Sequence, residues 1–266
     1  MKRLFGLAFL FGLPACFAVT DLDRFEGATT AARGNYADLR ATWSGMDNHR
    51  TELVEFKVVD SSNVIQTRGI FKPLGSPNVA FLVPMGVPTS NPPIRLDIWA
   101  DHDSSGGYNF TGNGPDHSWR IPDLAANLDA TSGQYVVNFQ HSYSFNDLAT
   151  PAVVEFGQPV KVTLSDMTAF LGQRIELRVA DANSAHTVAF YRVTGLQKVV
   201  EMEVPGMIEG GSRYTATLYM DDGNGGSVRG FTQTLTAPEA GIAIAGNDPL
   251  SAGFQEITDK NAIVAP

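Results

Sequence analysis

Cysteine is almost missing from this chain: one residue, Cys16, stands among 266. Beyond it no disulfide, thiol nucleophile, Cys-ligated zinc or blue-copper centre can form. Positive charge is also scarce. Nineteen Lys and Arg face 28 Asp and Glu, a formal net charge of −9. No basic cluster reverses that locally. A surface of this sign repels phosphate backbones and anionic lipid, which excludes nucleic acid as an expected partner. Long apolar runs are lacking as well. The longest, Leu4 to Leu13 ahead of the break at Pro14, has ten residues, half of the roughly 20 that a spanning helix needs. There is no Gly-x-Ser-x-Gly elbow, no His-Glu-x-x-His pair and no phosphate-cradling glycine loop before a helix. The residues Asp116, His117 and Ser118 are consecutive, so on a strand they point to alternate faces and form no triad. Nothing in the motifs calls for an enzyme.

What is present begins at the N-terminus. Lys2 and Arg3 precede the apolar stretch and small residues follow it, the pattern of an export signal. Leu13-Pro14-Ala15-Cys16 resembles a lipobox, which would make Cys16 the lipidated first residue of the mature chain. Cleavage after Ala18 is the other reading. Either takes two of the 19 basic residues away and leaves the mature chain near −11. The expected location is outside the cytoplasm: periplasmic or outer-membrane as a lipoprotein, or secreted. A lipid on Cys16 would be the only membrane contact.

The body of the chain repeats itself. Leu39-Arg-Ala-Thr-Trp-Ser-Gly-Met46 aligns with Val160-Lys-Val-Thr-Leu-Ser-Asp-Met167, an offset of 121. The same offset pairs Glu55 with Glu176, Asp60 with Asp181 and Val83-Pro84 with Val204-Pro205. One deleted loop residue later, Ile98-Trp99 pairs with Leu218-Tyr219. Within both copies apolar residues alternate with polar ones: Leu39, Ala41, Trp43; Val54, Phe56, Val58; Ile175, Leu177, Val179. Period two predicts strands with one buried and one wet face. Turn signals such as Pro-Leu-Gly-Ser-Pro at 73–77 separate about seven strands per copy.

The fold class expected is therefore all-β: two tandem seven-stranded β-sandwich domains that resemble immunoglobulin-like and fibronectin-like domains in strand count. The division reads as a signal segment 1–18, a tether 19–35, a first sandwich 36–148, a linker 149–158, a second sandwich 159–260 and a tail 261–266. The architecture by itself implies no function.

Three constellations carry chemistry, all in the first copy. Asp101, Asp103 and Ser105 precede Gly106 at the spacing by which a loop wraps Ca2+, with Asn109 and Asp116 available to complete the shell. The plain alternative is a solvated turn, which the same residue types favour. In the second copy the equivalent loop, from Asp221, lacks the side chains at the third and fifth positions. Four of five histidines lie in the first copy. His102, His117 and His141 form a candidate copper or zinc set if they meet, because imidazole suits both metals. Otherwise they are core histidines. Trp99, Tyr108 and Trp119 offer faces on which a sugar could stack. The expected function is a non-catalytic binding or assembly module of the cell envelope with a Ca2+ loop, its partner an envelope protein or glycan. The alternatives are a periplasmic copper- or zinc-handling protein and a carbohydrate-binding or glycan-active one.

Overall fold

The computed structural model describes residues 35–90, 94–110, 116–155, 157–221 and 228–258. The expected signal segment with Cys16, the tether up to residue 34, the tail 261–266 and most of the second-copy loop after Asp221 lie outside them. The described chain is all-β, with three short 3-10 turns and no α-helix among the described residues. Sixteen strands run in order: β1 Tyr36–Ser44, β2 Val54–Val59, β3 Ile65–Phe71, β4 Val79–Pro88, β5 Arg95–Ala100, β6 His117–Ile121, β7 Leu128–Asp129, β8 Gln134–Gln140, β9 Gln158–Leu164, β10 Arg174–Asp181, β11 Thr187–Val193, β12 Val200–Ile208, β13 Arg213–Asp221, β14 Arg229–Thr236, β15 Ile242–Gly246 and β16 Gln255–Ile257.

Two smaller sheets share a plan. One sheet has the order β4-β1-β8-β7 and another β12-β9-β15, each with its last long strand parallel to the first. A third sheet of nine strands, β16-β14-β13-β10-β11-β3-β2-β5-β6, runs through both copies. The copies join where β3 pairs with β11 in parallel, and Arg68 faces Ala189 while Ile70 faces Tyr191. Those partners are equivalent positions of the repeat.

Side chains paired across a sheet share a face. Along one row stand Leu177, Tyr191, Ile70, Glu55 and Trp99. Leu177, Tyr191 and Ile70 belong to the second copy's core, whereas Glu55 and Trp99 do not. The adjacent row, Arg178, Phe190, Gly69, Phe56 and Ile98, has the opposite sense. There Phe190, Phe56 and Ile98 belong to the first copy's core. The two smaller sheets therefore cover opposite faces of the nine-stranded one. Each core also takes residues from the other copy: Val59, Ile65 and Ile70 in one, Phe190 in the other.

The expectation of one wet face per strand fails in the central sheet. Strands β5 and most of β10 are buried on both faces. Their outer faces carry charge, and the charges are paired. Arg120 holds Asp97, which Arg95 also meets. Glu176 accepts from Arg178 and Arg192 at 2.7 and 2.6 Å. Burial pushes the Glu176 carboxyl up, but the two guanidinium groups hold it below the ordinary range. Neighbouring chain covers these pairs. Arg192 donates to Ala80 of β4 at 2.9 Å, and Arg120 to the Thr150 carbonyl at 2.6 Å. A buried charge is tolerated only when paired in this way.

Candidate metal centre

The strand pairings bring four chain segments to one end of the first copy. Val54 opens β2 opposite Ala100, which closes β5, and Ala100 faces His117, which opens β6. Strand β8 leaves beside the end of β1, where the His141 amide donates to the Ser44 carbonyl at 2.9 Å. The connection from β1 to β2 crosses the same end and contains the 3-10 turn Asp47–His49.

Here His49, wholly buried, is the hub. Its Nε2 lies 3.2 Å from His141 Nε2 and 3.3 Å from His117 Nδ1. Its Nδ1 lies 2.6 Å from Glu52 Oε2. A carboxylate only accepts, so Glu52 assigns the proton to Nδ1 and leaves a lone pair on Nε2. One in-plane lone pair cannot serve two N–H donors well. A cation between the three nitrogens would resolve this. Tetrahedral ligands at about 2.0–2.1 Å from zinc stand roughly 3.3 Å apart, and the two observed separations match that figure.

The surroundings disfavour charge on two of the three rings. His117 is pushed down to about 4, first by burial and then by His49 and His102 nearby. His141 is lowered by burial and by His49. Phe145 stacks on the His117 ring at 4.2 Å, and Trp119 stands edge-on to His49 and His141 at 5.6 and 5.2 Å. His102 takes a different place from the other three. Its Nδ1 meets Glu52 Oε1 at 2.7 Å, and its ring lies parallel to His117 at 4.7 Å.

The acidic loop lies next door, on alternate residues of the same segments. Carboxylate oxygens of Asp101, Asp103 and Asp116 fall within 4.8 Å of one another. They are already engaged by N–H groups. Asp101 accepts from the Ser105 and Gly106 amides, Asp116 from those of His102 and Asn109, and Asp103 from the Asn109 side-chain amide at 2.9 Å. The Ser105 hydroxyl turns to the Gly107 carbonyl. The loop thus directs donors at its own carboxylates, as turns rich in Asp, Ser and Gly do.

The aromatic residues do not form an open row. Trp99 and Trp119 are 5% and 3% exposed, with their indole N–H groups donated to Glu55 and to the Ser142 carbonyl. Half-buried Tyr108 sits edge-on to Trp99, and its hydroxyl accepts from the Leu148 amide. The exposed ring at this end is Tyr143, perpendicular to His141 at 5.1 Å. Sequence reasoning passed over His49 and Glu52. Their signal was faint: a histidine just past a strand end, with a carboxylate three residues on.

No family model matches this chain, and no curated protein matches it. Among solved structures there is a match to the tip fimbrial protein Mfa3 from Porphyromonas gingivalis with C-terminal truncation, 14% identical, covering 82% of this chain and 87% of that one, with a TM-score of 0.27. A superposition that loose transfers neither fold nor role.

Proposed function

We propose that this protein is an exported, non-catalytic β-module that binds one zinc-type divalent cation through His49, His117 and His141. The observation that carries the reading is the convergence of three imidazole nitrogens, His49 Nε2 standing at tetrahedral ligand spacing from each of the other two, with the His49 ring fixed from behind by a carboxylate. Such carboxylate–histidine–metal chains are the usual support of a histidine site. Export rests on the N-terminal signal pattern, with Cys16 as its lipid anchor. The body consists of two immunoglobulin-like repeats, 36–148 and 159–260, fused through the shared sheet.

The cation's role follows from where its ligands sit. His117 opens β6, an edge strand of the nine-stranded sheet, while His141 follows β8 in the facing sheet. His49 lies on the crossover between them. A metal on all three cross-links the two sheets of the first copy, the service a disulfide performs in many exported sandwiches. This body has no cysteine for one.

The test is the metal content of the mature protein, purified without chelator or affinity nickel. Near-stoichiometric zinc is expected, lost in His141→Ala, with the melting temperature lowered by a chelator. Copper in its place would keep the site and change the metal. Calcium alone, or no metal after equilibration with zinc, would overturn the reading.

A further inference from the structure

The centre has a second carboxylate–histidine contact that metal binding does not require. We propose that Glu52 is the positioning residue of the centre, clamping His49 and His102 by accepting an Nδ1–H from each ring. This rests on the metal-site reading above. Glu52 offers one oxygen to each partner: Oε2 to His49 at 2.6 Å and Oε1 to His102 at 2.7 Å. Its side chain is 10% exposed. Its main chain is pinned on both sides, the amide to the His49 carbonyl at 3.1 Å and the carbonyl to the Leu74 amide at 3.0 Å.

Distance decides between ligand and clamp. His49, Glu52 and His102 also lie within 4.8 Å of one another and could be taken for a second metal site. Ligands of one ion stand roughly 3.3 Å apart, as His49 does from His117 and His141. Contacts of 2.6 and 2.7 Å are charge-assisted hydrogen bonds. Glu52 therefore works from outside the coordination sphere. It fixes the same tautomer on both rings and leaves both Nε2 lone pairs free. One of these faces the metal ligands. The other belongs to His102, whose side chain is 46% exposed and lies against His117. The clamp also sets one negative charge beside the cation. Through it the surface loop that carries His102 is tied to the buried hub.

The experiment uses Co2+ as the probe, because its visible absorption reports four-coordinate geometry, together with 15N-resolved histidine spectra of the metal-free protein. The spectra should show His49 and His102 protonated on Nδ1. In Glu52→Gln the amide serves one ring and opposes the other, so Co2+ affinity should fall by about 10- to 100-fold, with mixed tautomers. His102→Ala should weaken binding by less, since it removes one arm of the clamp and no ligand. A ring in the wild type that carries its proton on Nε2 and none on Nδ1 overturns the clamp without any variant. So does Glu52→Gln with unchanged affinity and tautomers. Wild-type protein that takes up no Co2+ refutes the metal site instead, while the tautomers still decide the clamp.

Discussion

At the joint between the repeats His186 lies 6% exposed, its ring stacked on Tyr36 at 3.9 Å and its Nε2 3.2 Å from the Thr67 hydroxyl. Burial pushes it from 6.5 down to about 4, against a smaller opposite pull from Asp181. The folded state thus holds His186 neutral over a range in which the unfolded chain protonates it. Its stabilising effect is complete above pH 6.5 and is lost as pH falls towards 4. The expected loss is about 2 kcal/mol by pH 5. Urea midpoints at pH 7 and pH 5 measure it in comparison with His186→Gln, which should shrink the difference by about that amount and leave the part that His117 and His141 contribute. An unchanged slope in the variant would place the acid sensitivity elsewhere. The contrast with His49 shows what single residues disclose. Counting histidines found their concentration in the first copy and three of the four that meet. It could not find the hub, because His49 and Glu52 sit on a crossover whose path depends on which strands pair.

At the scale of elements, β3 is where two copies and two cores meet. Gly69 faces Phe56 on one side and Phe190 on the other. A Cβ there would come 2.0 Å from Phe56 Cε1. Phe56 has nowhere to move, since its ring is packed by Trp43, Phe71, Phe81 and Phe190. Gly69→Ala should therefore cost about 1–3 kcal/mol through overpacking, despite the better strand propensity of alanine. Equilibrium denaturation measures the cost, and a neutral substitution would mean that the aromatic cluster is looser than its geometry. Strands of this kind were legible from period two alone: Val54, Phe56 and Val58 mark β2 in the chain as in the fold. Glu55, Lys57 and Asp97 read as wet by the same rule. They are largely covered because chain from elsewhere crosses the outer face, and period reports alternation without reporting what lies above it. Residues 141–145 continue the alternation of β8, yet the strand ends at Gln140. The ring contacts of His141 and Phe145 with His117 hold that segment instead.

At the scale of the molecule, the offset of 121 read in the sequence also describes how β3 pairs with β11. Two copies read in tandem suggest separable units. Pairing equivalent strands in parallel makes them one sheet, and neither copy keeps an intact face without the other. A first copy expressed alone as residues 35–155 would expose the whole edge of β3 and strip cover from Val59, Ile65 and Ile70. It would also leave the space of Phe190 empty inside its own core, a loss of about 3–5 kcal/mol for an aromatic of that size. That is a large part of a domain's usual 5–15 kcal/mol, before the open edge invites association. The expected outcome in sedimentation and thermal denaturation is an aggregating or unfolded fragment. A second outcome supports the same argument: a parallel dimer through β3, imitating the junction. A soluble monomer that melts near the intact protein would show that the continuous sheet is an abutment of two independent units, and that Phe190 contributes less than its burial implies.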